Sequence, residues 1–499
     1  MVLTEEKIVG LFSKYKKKAQ TAYKRGKYSK CLKYIKAASL TGYFFYLGYK
    51  DDELEDLLQA LSSHLEARDS GEVLIQTGCV FYDSLSADNE GLVQQYLRAI
   101  MCMGLKITYI TEKKGFKERK SILKMMLEEY ENSEIIEIPS DLAYMGKAQF
   151  VYDQIILSKA SRLFIHSHPT SSYACTAFYA LPDTIKKYKI NLTDQTFWIG
   201  TRFIDYSFEF RAFGCVLSSR ERGISKGKLL MLPYYPVFNE SKFLGFPQEA
   251  DGKVILFSGG NHYKIYSKDD MFFKIAQAIL DSNPNVILLF AGKGDLNELN
   301  AKLTKYGLTE RFIPIGHRSD ITEVFRHCDI YLNTYPIGGG LMLQYAALLG
   351  KPIVCYQSET TAGAEDIVCQ LKRVPVSDRD IPSLVGRVQK LANSPEDRQA
   401  YGKKIQECMV TEEKFNQTFE KYLAKGKNLI PYSEEVSYKE HTKDIKDKLD
   451  YENSTKEFQC RFVKTIGMPS LWECPDFLYN AIRVVIRGNR LFKTIKNNT

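Results

Sequence analysis

Two stretches of this 499-residue chain hold residue types at spacings that could do chemistry. The first is CDIYLNTYPIGGGLMLQYAALLGKPIVCY, residues 328–356. A short strand ends at Asn333 and Thr334, and a turn with Pro336, Gly338, Gly339 and Gly340 follows. A helix then runs to Gly350. A glycine turn at a helix N-terminus lets backbone N–H groups approach phosphate oxygens, with the positive end of the helix dipole behind them. A tight turn that binds nothing has the same look, so the surroundings must decide. The second stretch is FIHSHPTSS, residues 164–172, where His166 and His168 close an apolar strand. Alternate residues of an extended segment share a side, so the two rings can face one cleft. Histidine's ordinary pKa of about 6.5 suits it to take a proton near neutral pH. A metal site would need a third ligand, and the neighbouring sequence offers none. Packing or hydrogen bonding is the plainer use of both rings.

The elements that must position these groups follow from hydrophobic periodicity. Residues 1–68 read as helices: Ile8, Leu11, Phe12 and Tyr15 recur at helical steps, as do Leu54, Leu57, Leu58 and Leu61. The Lys- and Tyr-rich stretch 14–36 suits a hairpin packed on the body, or a basic aromatic surface facing anionic lipid or a polyanion. From residue 71 short apolar runs alternate with amphipathic segments. The runs are Val73–Ile75, Ile107–Ile110, Ile135–Ile138 and Leu163–Ile165, and the segments 90–104, 116–131 and 142–158. Less regular structure is expected to about 232, and prolines 233, 236 and 247 mark a linker. A second alternation has runs at Val254–Phe257, Val286–Phe290, Phe312–Ile315, Ile330–Leu332 and Ile353–Cys355. Its helical segments are 269–281, 295–306, 320–327, 340–349 and 380–393. Such alternation predicts an α/β protein with two doubly wound, Rossmann-like domains at 71–236 and 250–428. A helical extension at 1–68 precedes them and a linker with a helical tail at 429–499 follows. Ligands should then bind where strand C-termini of both domains face one cleft.

Composition narrows the function. The chain is 44% hydrophobic and 26% charged, which disfavours disordered and fibrous classes. Its net charge of +9 is uneven. Residues 1–50 hold twelve basic and two acidic side chains, and residues 477–499 hold five basic and none acidic. Removing those +10 and +5 leaves the body at −6, which argues against nucleic acid as a partner of the body. No apolar run reaches the roughly 18 residues of a membrane span, and the N-terminus lacks a signal-peptide core. The 11 cysteines form no CxxC pair, which fits reduced thiols in a cytoplasmic protein.

The order strand, CDIYLNTYP, glycine turn, helix and LLGKPIV resembles the donor-binding half of nucleotide-sugar glycosyltransferases of the GT-B fold. The likeness is to the bacterial polysaccharide type, with some resemblance to the O-GlcNAc-transferase-like group. RGISKGKLLMLPYYP (222–236), VILFSGGNHYKIYSKDD (254–270), VILLFAGKGD (286–295) and RFIPIGHRSDITEVFRHCDIYLN (311–333) fall in the family's order. The resemblance spans about residues 71–428 and is more specific in its second half. It implies transfer of a sugar from a nucleotide-sugar, a UDP-sugar, to a glycan or lipid-linked glycan in cell-surface polysaccharide synthesis. The nucleotide-sugar is a substrate, and neither cofactor nor metal is implied.

That implication gives the residues roles. Donor contacts fall to Gly259, Gly260, Lys264, His317, Arg318, Gly338, Gly339, Gly340 and Gln344, with Lys264 neutralising the diphosphate as a point charge. His317 and Arg318 also suit a helix-capping loop. His166, His168 and Asp194 are the candidate catalytic groups. Asp83 and Gly91, in the first strand-to-helix loop, and Arg202 would line the acceptor cleft. Arg202 also fits a structural ion-pair cluster with Asp205, Glu209 and Arg211. Retaining relatives carry two Glu flanking the glycine turn. Their places here hold Tyr345 and a residue near Ile337, which favours inversion. Protein glycosylation, sugar-nucleotide epimerisation and a non-catalytic partner role are the rivals. The basic stripe Arg483, Arg487, Arg490 and Lys493 suits a helix crossing back to the first domain, or contact with an anionic membrane at the inner face.

Overall fold

The computed structural model describes residues 4–68, 75–86, 92–191, 193–238, 240–357, 364–368, 374–432 and Phe462. Gly91 and the stripe Arg483, Arg487, Arg490 and Lys493 lie outside these residues. Three helices open the chain: α1 (Glu5–Lys24), α2 (Tyr28–Phe45) and α3 (Asp52–Ser62). Side chains cap α1 and α3, where Thr4 and Asp51 accept the N–H of Lys7 and Leu54.

The first sheet is built from β1 (Ile75–Asp83), β2 (Lys106–Thr111), β3 (Ser133–Glu137), β4 (Ala160–His166), β5 (Lys186–Ile190), β6 (Tyr206–Glu209) and β7 (Leu229–Met231). Between its strands run α4 (Val93–Cys102), α5 (Ile122–Glu129), α6 (Tyr144–Leu157), α7 (Ser172–Ala180) and α8 (Ala212–Arg220). The order is β3-β2-β1-β4-β5-β6-β7, every pair parallel. Residues alternate between the two faces. Val80, Tyr82, Leu163 and Ile165 pack under α1, α2, α6 and α7, whereas Cys79, Phe81, Tyr109 and Phe164 pack under α4 and α5. The N-terminal helices are therefore a layer of the domain, with Leu32, Ile35, Leu54 and Leu58 sealed in its core.

The second sheet holds β8 (Val254–Gly259), β9 (Val286–Ala291), β10 (Phe312–Gly316), β11 (Ile330–Leu332), β12 (Ile353–Tyr356) and β13 (Ser377–Asp378), in the order β10-β9-β8-β11-β12-β13. It is also parallel. Its helices are α9 (Met271–Ser282), α10 (Leu296–Lys305), α11 (Ile321–His327), α12 (Gly340–Leu348), α13 (Glu365–Val368), α14 (Ile381–Asn393) and α15 (Pro395–Gln406). The two doubly wound domains expected from the sequence are both present.

Three features depart from expectation. β1 runs to Asp83, because Gln76, Thr77 and Gly78 break the apolar run without breaking the strand. The stretch to 232 is regular and carries α7, β5, β6, α8 and β7. A last helix, α16 (Glu412–Lys425), lies inside 250–428 yet packs on the first domain. Its Phe415, Phe419 and Tyr422 join Tyr96 and Phe208 in that domain's core. Tyr422 Oη donates to the Met231 carbonyl, and Asn428 accepts the Met231 N–H. Among the described residues no helix is long and apolar enough to cross a membrane.

Candidate functional site

Strand order reverses between β1 and β4 in the first sheet and between β8 and β11 in the second. These switch points open crevices at the strand C-termini, where α/β sheets bind ligands. Asp83 and His166 end β1 and β4 and are register partners. His166 Nδ1 lies 2.9 Å from Asp83 Oδ1. The Leu85 and Ser86 N–H groups donate to the same oxygen at 3.0 Å, and Tyr109 Oη donates to Oδ2 at 2.7 Å.

Asp83 is fully buried. Burial would raise its pKa, but the His166 ring and these donors outweigh it and hold the carboxyl below its ordinary value. An ionised carboxylate only accepts, so the proton of neutral His166 sits on Nδ1. Nε2 then carries the free lone pair, the arrangement of a general base. This corrects the acceptor-cleft expectation for Asp83, whose oxygens are already occupied.

His168 differs. Its Nδ1 lies 2.8 Å from Thr170 Oγ1, and its ring sits 4.7 Å from that of Tyr43 on α2. Burial, with Lys36 and Lys189 nearby, lowers its pKa to about 4. The ring is neutral at pH 7 and a poor proton acceptor. Lys189 on β5 donates to the carbonyl and Oγ of Ser167, at 3.2 and 3.0 Å, and so fixes the loop between the histidines. Burial lowers Lys189 to about 8.

Asp194 is fully buried, and Arg211 donates to both its oxygens at 2.5 and 3.0 Å. Arg222 donates to the carbonyls of Asp194 and Thr196 and stacks 3.8 Å from Trp198. Glu209 is covered by Asn191, Ser207 and Ser218. These contacts correct the catalytic expectation for Asp194, which is a pillar of the loop. Arg202 bridges Asp52 and Asp56 of α3 at 2.9 and 2.6 Å, which replaces the expected acceptor contact with a tie to the N-terminal helices.

In the second domain the crevice is lined by backbone. Gly260 donates to Ala291 O, Gly292 to Gly316 O and His262 to Lys293 O. A Cβ on Gly292 would fall 1.9 Å from Gly260 O, and one on Gly294 2.3 Å from the His262 ring. Gly259 faces α12, where a Cβ would meet Met342 at 2.6 Å. The glycine turn is held by Asn333, whose Oδ1 accepts the Gly339 N–H at 3.0 Å, and by Thr334, which donates to Ile337 O. Gly338 leaves the space that a Cβ would fill against Asn333. Gly340 begins α12, close to Tyr234 of the linker.

Lys264 follows β8 in a short 3-10 turn whose carbonyl accepts the Ile337 N–H. The glycine turn and the lysine loop are thereby tied together. Burial lowers the Lys264 pKa, and among the described residues no carboxylate offsets it. Gln344 is buried; its Nε2 donates to Tyr234 O at 3.0 Å and its Oε1 has no protein partner. Tyr345 is a core residue that donates to Val237 O at 2.8 Å and stacks on Phe325.

His317 is exposed at the end of β10. Arg318 instead pairs with Asp320 through two bonds of 2.7 and 2.6 Å and donates to Gly245 O. Its donor role is corrected, because the guanidinium clamps the linker. Among the described residues no three His, Cys, Asp or Glu side chains cluster to hold a metal ion.

Sequence reasoning missed Asn333, Gly292, Gly294, Lys189 and Tyr43. A Gly-x-Gly directly after β9 was a signal, whereas in β5, Lys-Lys-Tyr-Lys-Ile, nothing set Lys189 apart from Lys186 and Lys187. Nothing local marked Tyr43, which arrives from the N-terminal helices.

Residues 252–394 match the family model for group 1 glycosyl transferases. No curated protein matches the sequence. Among solved structures, HepE of Anabaena in complex with UDP and glucose is similar at a TM-score of 0.51 and 12% identity, over 70% of this chain and 99% of that one. An O-GlcNAc transferase mutant of Thermobaculum terrenum is similar at 0.52 and 14%, over 84% and 78%. A glycosyltransferase from Rickettsia africae gives 0.51 and 10%, over 70% and 98%. The matched segment holds β8 to α14 with the glycine turn and Lys264, and the fold of both halves is the one these structures share. The chain has the GT-B fold of these structures, and residues 252–394 of its second domain match the group 1 glycosyl transferase model.

Proposed function

We propose that this protein transfers a sugar, with inversion, from a UDP-sugar to a hydroxyl of a glycan or lipid-linked glycan in cell-surface polysaccharide synthesis. The observation that carries the reading is the Asp83–His166 pair at one switch point, with a glycine turn and an unpaired lysine at the other. His166 Nε2 takes the acceptor proton as the hydroxyl oxygen attacks the anomeric carbon. The bond from that carbon to the diphosphate oxygen breaks, and UDP leaves with the electron pair. The first turn of α12 and Lys264 meet the charge that develops on the diphosphate.

Inversion is favoured because Tyr345, buried and bonded to Val237, stands where retaining relatives keep a carboxylate. UDP is favoured because HepE, of the same fold, was solved with UDP and glucose. Work at the inner face of the membrane suits a cytoplasmic enzyme with basic ends. Thermal shift with UDP, GDP and their sugars tests the donor; we expect UDP to stabilise the protein more than GDP. His166→Ala should keep that shift and lose UDP release from the UDP-sugar. Release at the unaltered rate would overturn the role of His166, and a protein that binds no nucleotide would overturn the whole reading.

A further inference from the structure

α2 carries Lys30, Lys33 and Lys36 at three-residue steps, which places them along one broad helix face over about 9 Å. Lys33 and Lys36 lie over the ring of Tyr144 at 5.7 and 5.8 Å, and Lys36 Nζ is 3.5 Å from its hydroxyl. Lys147, one turn along α6, lies 5.9 Å over Tyr173, whose ring packs edge-on against Tyr144 at 5.6 Å. Tyr43, two turns beyond Lys36 on the same helix, touches His168. The cations and rings thus form one strip from the N-terminal helices to the His166–His168 loop.

None of Lys30, Lys33, Lys36 and Lys147 has a carboxylate within ion-pair distance among the described residues, whereas Lys16 nearby on α1 is paired with Asp51 and Glu53. Among the described residues the acid bonded into the strip is Glu112, which meets Tyr173 and already accepts from Tyr82 and Ser171 at 2.5 and 2.8 Å.

We propose that this strip binds an acidic glycan and feeds it to His166, so that the acceptor is a chain of sugars bearing carboxylates or phosphates. The inference rests on the glycosyltransferase reading and names its acceptor class. Unpaired ammonium groups held in a row over the rings of Tyr144 and Tyr173 suit the anions of such a chain. An anionic membrane would ask for exposed apolar side chains beside the lysines. The large apolar side chains exposed among the described residues, such as Val9, Met125, Leu157 and Leu244, are not on α2 or α7, and Leu157 is at the far end of α6.

The test is fluorescence anisotropy on the full chain, with end-labelled oligogalacturonate against a maltooligosaccharide of equal length. Oligogalacturonate should bind more tightly, weaken with salt, and lose about tenfold or more in Lys33→Ala/Lys36→Ala/Lys147→Ala. Lys403→Ala/Lys404→Ala/Lys421→Ala, which removes the same charge from α15 and α16, should bind unchanged. Equal loss in both variants, equal binding of the neutral chain, or no binding of oligogalacturonate would overturn the proposal. So would capture of phosphatidylglycerol vesicles through the same three lysines with no preference for the acidic glycan. UDP thermal shift on each variant separates the two readings. Wild-type protein that binds oligogalacturonate through these lysines but binds no nucleotide would overturn the glycosyltransferase reading and leave the strip as an acidic-glycan surface with no acceptor role.

Discussion

The two sheets share one parallel, doubly wound architecture, yet their switch points are made of different material. At the first, the edge is side chains: His166 on a buried carboxylate, His168 against Tyr43, and Lys189 under the loop between them. At the second, the edge is backbone: Gly259, Gly292 and Gly294 leave no room for a Cβ, Gly260 takes a positive φ, and Asn333 Oδ1 holds the turn through the Gly339 N–H. Moving a proton needs a group whose tautomer is fixed, which takes several buried hydrogen bonds. Holding a diphosphate needs many donors at short range, which bare backbone supplies at low desolvation cost. On the proposed function, the same fold divides its labour by what it leaves at the strand ends.

The largest expected effect breaks the first edge. Asp83→Asn puts an amide against His166 Nδ1 and frees the ring to carry its proton on Nε2, the wrong nitrogen for a base. Turnover should fall about 10²–10⁴-fold, while UDP still shifts the melting temperature. Asp83 also adds stability that is full above the ordinary carboxylate pKa of about 3.9. That stability is lost as pH falls through its lowered folded value. The variant should therefore show a flatter stability profile below about pH 4. Unchanged turnover would make the pair a structural one.

A smaller effect breaks the second edge. Lys264→Ala removes a cation that the protein desolvates but does not pair with a carboxylate. Isothermal titration should show UDP binding weakened about 10- to 100-fold, with the melting temperature of the free protein unchanged or raised. A fall in free-protein stability with no change in UDP affinity would return Lys264 to the scaffold.

Much of this contrast could be seen in the sequence, but unevenly. Five of the second domain's six strands matched because each is a short apolar run closed by glycine or polar residues, as at Ser258–Gly259 and Asn333–Thr334, whereas β13, Ser377–Asp378, has no apolar run to mark it. The histidines showed because they end such a run. Their ranking did not show, since it depends on Asp83, which is 83 positions away and becomes a neighbour only when β1 and β4 pair in register. Arg318 illustrates the opposite failure. A cation after a strand looks like a ligand contact, and the Gly245 carbonyl that claims it lies across the linker. The chain crossing by α16 was hidden for the same reason, because Phe415 and Phe419 give a helix its apolar face without saying which domain covers it.

Arg202 is the smallest and most discriminating case. It sits on the first domain's edge in sequence, yet its guanidinium reaches the acids of α3 rather than the cleft. Asp52 and Asp56 are largely exposed, so water and salt screen both pairs, and Arg202→Ala should cost no more than about 1 kcal/mol in urea unfolding. Turnover and acceptor KM should stay as they are, because the histidine loop is anchored by Asp83 and Lys189 instead. A raised acceptor KM at unaltered stability would move Arg202 back into the acceptor site. It would also extend the side-chain edge from the His166 loop to the helices that the N-terminal extension lays beside it.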